Sequence, residues 1–253
     1  MITLPFATIL AASVLTTSFI SGVFGMAGGM ILMAIFLALM PLPAAIALHG
    51  ATQVAANAWR AWIWRAHIHW HIVWKYAIGA GLALSVFSFG MIAPDKSTAL
   101  IVLGLISLLG LWLPSRLAPN ILGLGQASGA GLLCTALHLI CGVSGPILDL
   151  FFVRSDLSRR HTVATKAAIN TIGHGLKFAW FTYALLASGQ NIAPAAALLA
   201  MLLAPVGTQL SGRALDAITD EQFRTWSRRL IAAVAAFYPV SYTHLTLPTK
   251  RIV

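Results

Sequence analysis

The chain has 253 residues, of which 59% are hydrophobic and only 9% are Asp, Glu, Lys or Arg, against about 25% charged residues in a soluble domain. With a mean hydropathy of +0.87, this composition excludes both a water-faced globular domain and a disordered chain, and leaves a polytopic membrane protein. The net charge of +10 is read as basic loops held on the cytoplasmic side of a lipid bilayer, not as a nucleic-acid surface.

A helix needs about 20 apolar residues to cross a hydrocarbon core of about 30 Å. Residues 4–24 form the first such run, and no Lys or Arg precedes it. The positive start of a secretory signal is missing, so this run is expected to be retained as a membrane helix. A short segment follows at 30–40, then runs at 44–65, 70–92 and 98–113. A second set reads 121–140, a short 147–153, 161–187, 193–211 and 223–237. The expected fold is all-α: ten helical segments, with the second segment of each set short and preceded by a Gly-rich break. At 1.5 Å per residue neither short segment spans a bilayer, and irregular backbone at that depth needs protein or a cavity around it.

The two sets repeat each other. Gly25-Met-Ala-Gly28 corresponds to Gly142-Val-Ser-Gly145 at an offset of 117, and Ala51-Thr52 through Asn57 to Ala164-Thr165 through Asn170 at an offset of 113. Such duplication marks transporter folds. Repeats are therefore expected at 1–117 and 118–239. The basic residues alternate between corresponding joins. Residues 60–75 carry Arg60, Arg65 and Lys75, whereas 188–191 carry no charge. By the positive-inside rule the halves have opposite topology. Residues 240–253 are polar, β-leaning and unlike the rest. They resemble the translation of a sequencing adapter and are expected not to be native.

The candidate chemistry lies at the breaks. A helix that starts near the membrane midplane points free N–H groups and a positive dipole end at its surroundings, which suits an anion. Gly25, Gly28, Gly29, Gly142, Ser144 and Gly145 are the candidates for such a cradle. The alternative is close helix packing through small residues. Thr52, Asn57, Thr165 and Asn170 either line the site or tie helices together. Lys166 stands where the first half has Gln53, and is a candidate partner for an anion. Asp149 is the one acid within an apolar run. It is a proton-coupling candidate with His138, His174 or Lys177 near, or else one member of a structural ion pair. His67, His69 and His71 alternate in a Trp-rich join, which favours an interfacial aromatic belt over a metal site. Cys134 and Cys141 show no metal or redox spacing. No phosphate-binding loop or hydrolase motif is present, and neither a metal nor another cofactor is expected.

The run Gly22-Val-Phe-Gly25-Met-Ala-Gly28-Gly29, with the second break Gly142-Val-Ser-Gly145-Pro146, resembles the duplicated Gly-rich signature of the TauE/SafE family of sulfite exporter-like permeases. The likeness runs from about residue 4 to residue 237. It implies a non-enzymatic permease of a bacterial inner membrane. Its partners would be the lipid bilayer and a small anion: sulfite, a sulfonate, or a related sulfur-containing or carboxylate anion. Self-association stays open. A competing expectation is an intramembrane enzyme acting on a lipid or small amphiphile, which would need clustered acids at one membrane face.

Overall fold

The computed structural model describes residues 3–24, 27–90, 95–217 and isolated positions between 219 and 233. The expected segment 223–237 and the tail 240–253 lie outside the described residues, apart from isolated positions. The described residues fold into nine α-helices: α1 (Leu4–Phe24), α2 (Ala27–Leu39), α3 (Leu42–Ile63), α4 (Trp70–Gly90), α5 (Lys96–Trp112), α6 (Gln126–Cys141), α7 (Gly145–Phe152), α8 (Arg159–Ala187) and α9 (Pro194–Ala217). No strand occurs among them. The helices α2 and α7 are the short ones, with 13 and 8 residues.

Local chemistry sets the ends. Asp95 caps α5 by accepting a hydrogen bond from Thr98 N at 2.9 Å, so that helix starts two residues before its expected position. The helix α6 starts at Gln126, five residues later than expected. Leu122 N donates to Asn120 Oδ1 and Gly123 N to the Asn120 carbonyl, and Gly125 then turns the chain at φ +72°. This local turn holds residues 120–125 out of the helix. Ser158 caps α8, and Pro146 occupies the first turn of α7, where the N–H it lacks would have no helical partner.

Among the described residues three helices are long and apolar enough to cross a membrane: α1, α4 over Trp70–Phe89, and α9 over Pro194–Gly212. The helices α3 and α8 are as long, with 22 and 29 residues, but they bury His49, Thr52, Gln53, Asn57, Thr165, His174 and Lys177. Polar groups of this kind must be kept from lipid. The fold achieves this by pairing α3 with α8 and laying α2 and α9 against α3, and α4 and α6 against α8. Ile78, Leu82 and Val86 on α4, and Leu198, Leu202, Val206 and Leu210 on α9, form exposed stripes at four-residue spacing. Exposed apolar stripes of this kind suit contact with lipid.

Close approach holds the outer crossings together, because lipid supplies no hydrophobic drive between helices. A Cβ on Gly79 would fall 1.9 Å from the Ser128 carbonyl, and one on Gly131 2.0 Å from the Tyr76 carbonyl. Backbone therefore meets backbone where α4 crosses α6. At the α1–α9 crossing, a Cβ on Gly22 would fall 1.8 Å from Ser211 Oγ. The most extensive contacts are α3–α8, α4–α6 and α1–α9. Exchanging the two sets of helices turns α1–α9 into α6–α4 and leaves α3–α8 paired. The match stops there: α2 packs on α3, whereas α7 has its main contacts with α5 and α6.

Candidate functional site

The two breaks meet. Gly142 has φ +81°, a conformation suited to glycine, and ends α6. A Cβ there would lie 3.0 Å from Met33 Cε of α2 and 3.2 Å from Ile46 Cγ1 of α3. The second break is therefore seated on the first half's short helix and its neighbour. A hydrogen-bonded chain joins the breaks. The His49 ring bonds the Gly29 carbonyl through Nε2 at 2.8 Å. A carbonyl only accepts, so Nε2 carries the proton and Nδ1 of the neutral ring is an acceptor. Lys177 Nζ donates to that Nδ1 at 2.6 Å and to the Gly142 carbonyl. One lysine on α8 thus connects the carbonyl at the second break directly, and the carbonyl at the first through His49.

Two more histidines border Lys177. His138 Nε2 bonds Ser144 Oγ at 2.9 Å. The His138 and His174 rings lie 4.4 Å apart between centroids, and His174 stands edge-on to His49 at 5.6 Å. Gly173 makes room, since a Cβ there would come within 2.7 Å of His138 Nδ1. Lys177 is 0% exposed, His49 and His138 1%, and His174 7%. The Nδ1 atoms of His138 and His174 are buried without a hydrogen-bond partner. Such atoms carry a desolvation cost unless something bonds them.

Of the candidates from the sequence, Gly29, Gly142 and Ser144 come together at this cluster. Two of them do so through carbonyl oxygens and the third through its hydroxyl, whereas the sequence pointed to amide groups. Gly145 opens α7 beside them, and Pro146 follows with no N–H to offer. Gly25 lies outside the described residues. Gly28 packs helices: a Cβ there would fall 2.0 Å from the Thr17 carbonyl and 2.5 Å from Ser21 N of α1. Thr52 bonds the Leu48 carbonyl of its own helix at 2.8 Å, and Asn57 bonds the Gln53 carbonyl at 2.8 Å and Gln53 Oε1 at 3.2 Å. Thr165 Oγ1 accepts from His69 N at 3.0 Å and ties α8 to the join before α4. Asn170 is half-buried on α8.

Lys166 and Asp149 form an ion pair with each other, linking α8 to α7. The lysine's charge is therefore matched within the protein. His67 and His69 stand against His161, with ring centroids 5.3 and 4.9 Å apart, while Trp62, Trp70 and Trp74 are exposed nearby. Arg65 lies over the Trp62 ring at 4.6 Å. Among the described residues no group of His, Cys, Asp and Glu could hold a metal, and Cys134 and Cys141 are free thiols.

The sequence named His138, His174 and Lys177 only as partners for Asp149, and passed over His49. The available signal was His174 and Lys177 three residues apart within one long helix. That spacing places both on one face.

The family model described as Sulfite exporter TauE/SafE matches residues 9–238. No curated protein and no solved structure matches the chain.

Proposed function

We propose, for a chain that belongs to the sulfite exporter TauE/SafE family, that it carries a small anion across a bacterial inner membrane by alternating access. Membership makes it an integral membrane protein of a transporter family. The finer reading is a multi-pass permease for sulfite, a sulfonate, or a related sulfur-containing or carboxylate anion, driven by a proton or ion gradient. The observation that carries it is the meeting of the two interrupted helices through His49 and Lys177, deep among the long helices α3 and α8. Secondary transporters place their sites at such junctions of half-helices between repeats.

In this reading 1–117 and 118–239 are oppositely oriented repeats that rock about the α3–α8 pair. Gly29, Gly142, Ser144 and Gly145 border the anion, with Gly25, Gly28, Thr52, Asn57, Thr165 and Asn170 holding the frame around it. The Asp149–Lys166 pair is a second titratable element, able to open when one repeat moves against the other. The described carboxylates Asp95, Asp149 and Asp156 are dispersed: one caps α5, one pairs with Lys166, and one is exposed in the α7–α8 join.

The test is counterflow exchange in proteoliposomes against sulfite, thiosulfate, sulfoacetate and simple carboxylates. Saturable exchange of at least one anion is expected. Protein that inserts normally and exchanges none of them ends the permease reading. Labelling of single cysteines should place residues 60–75 and 188–191 on opposite sides of the membrane.

A further inference from the structure

We propose that the buried ammonium of Lys177 is the seat of the transported anion, and that a proton binds there together with each anion. This rests on the permease reading and adds to it the binding group and the coupled ion. Three observations support it. First, Lys177 donates two hydrogen bonds, to His49 Nδ1 and the Gly142 carbonyl, so the third N–H that protonation adds is left for a ligand. Second, no carboxylate among the described residues reaches it. Asp149 is engaged by Lys166, Asp95 caps α5 and Asp156 is exposed. Third, two buried ring nitrogens, Nδ1 of His138 and of His174, have no partner. If Ser144 donates to His138 Nε2, the proton of that neutral ring sits on Nδ1 and is available to an oxyanion.

The groups around Lys177 supply no negative charge at neutral pH. They are His49 from α3, His138 and Cys141 from α6, His174 from α8 itself, and Tyr76 from α4, close to Gly173. A buried cation without a counter-charge is strongly disfavoured. An anion in the site provides that counter-charge, so proton and anion each favour the other's binding, by the same factor in both directions. The proton moves from bulk water to Nζ as the anion enters, and returns to water as the anion leaves. For a monovalent anion the loaded site is neutral overall, as is the empty, deprotonated one. The ligand class is a compact oxyanion with several acceptor oxygens. A sulfur oxyanion could take Lys177 Nζ on one oxygen and the His138 or His174 edge on another.

The probes are sulfite and thiosulfate, exchanged by the full chain in proteoliposomes. Lys177→Met is expected to lower exchange about 100-fold or more, the size of loss seen when one partner of a buried charged contact is removed. Its thermal unfolding in detergent should resemble that of the wild type. A Lys177→Met variant that exchanges at the wild-type rate with the wild-type pH profile overturns this inference and leaves the permease reading standing. Wild-type protein that exchanges neither probe overturns both. A measurement on the unmutated chain covers the case in which the variant does not fold. Calorimetric binding of thiosulfate, which carries no proton at neutral pH, is compared in two buffers of different ionisation heat. Uptake approaching one proton per anion is expected, and binding with no proton uptake across the neutral range overturns the coupling.

Discussion

The two breaks share a pattern of glycines and differ in what they do. At the first, Gly28 locks α2 onto the α1 backbone, and Gly29 offers its carbonyl to His49. At the second, Gly142 turns the chain at positive φ and offers its carbonyl to Lys177 directly, while Ser144 holds His138. At the offset of 113 that aligns Thr52 with Thr165, Lys177 aligns with Trp64 and His49 with Thr162. The glycine pattern recurs, but the polar cluster does not: His138, His174 and Lys177 come from the second set of helices and His49 alone from the first. The first break is therefore expected to fail through packing and the second through backbone conformation and bonding.

The largest effect on stability should come from Gly28. In Gly28→Val the new side chain would meet the Thr17 carbonyl and Ser21 N, which are backbone and cannot turn aside. A loss of about 3 kcal/mol or more is expected, at the upper end for overpacking, read as a collapse of the detergent melting temperature. The next residue is the control. A Cβ on Gly29 would lie 3.3 Å from Gln53 Nε2, the flexible end of a side chain. Gly29→Ala should therefore stay within about 0.5 kcal/mol of wild type. Equal losses at both positions would remove the packing account of the first break.

Gly142 comes next. Its φ of +81° costs an L-residue about 1–2 kcal/mol, while the nearest atom, Met33 Cε at 3.0 Å, can move. Gly142→Ala should lose about that amount and slow anion exchange, because the carbonyl bonded by Lys177 would shift. Gly142→Asn should lose less, since Asn tolerates the left-handed region. If both variants melt like wild type, backbone conformation does not set the second break.

Much of this frame was legible before any coordinates. Hydropathy and Gly/Pro punctuation located the helices, because lipid forces backbone polar groups into helical bonds and leaves few alternatives. The start of α6 was misplaced: residues 121–125 look like membrane helix by composition, but a turn at Asn120 and positive φ at Gly125 take the chain out of it. The site was less legible. The repeat drew attention to what the halves share, such as Thr52 and Thr165, but Thr52 bonds within its own helix and Thr165 ties α8 to the join before α4. The cluster sits where the halves differ. Which face His49, His138, His174 and Lys177 present depends on how α3, α6 and α8 pack, and no single segment encodes that.

The Asp149–Lys166 pair carries a smaller expectation. Its side chains are 29% and 23% exposed, so solvent screens it in part. A double-mutant cycle with Asp149→Asn and Lys166→Gln should give a coupling of about 1 kcal/mol or less, falling as salt rises. This pair belongs to the second break alone, because Gln53 stands in the position of Lys166. A coupling near zero would mean that α7 is held by its contacts with α5 and α6 and not by charge.

The smallest effect concerns a helix start outside the breaks, and it separates ordinary capping from what happens at them. The helix α5 begins with an acid at its cap, whereas the first turns of α2 and α7 contain none. Hydrogen bonds from the Thr98 hydroxyl, at 2.6 Å, and from Thr98 N hold the Asp95 carboxyl below its ordinary range. A carboxyl held low in the folded state contributes stability that is complete above its unfolded pKa of about 3.9 and is lost as pH falls through the lower folded value. Asp95→Asn should therefore lower the melting temperature slightly at neutral pH, and the difference from wild type should vanish in acid. Anion exchange should not follow that titration, because Asp95 stands at the α4–α5 join and not among Lys177, His138 and His174. An exchange rate that tracked the Asp95 carboxyl would show that the start of α5 moves with the transport cycle, and the contrast between a capped helix start and an open break would lose its meaning.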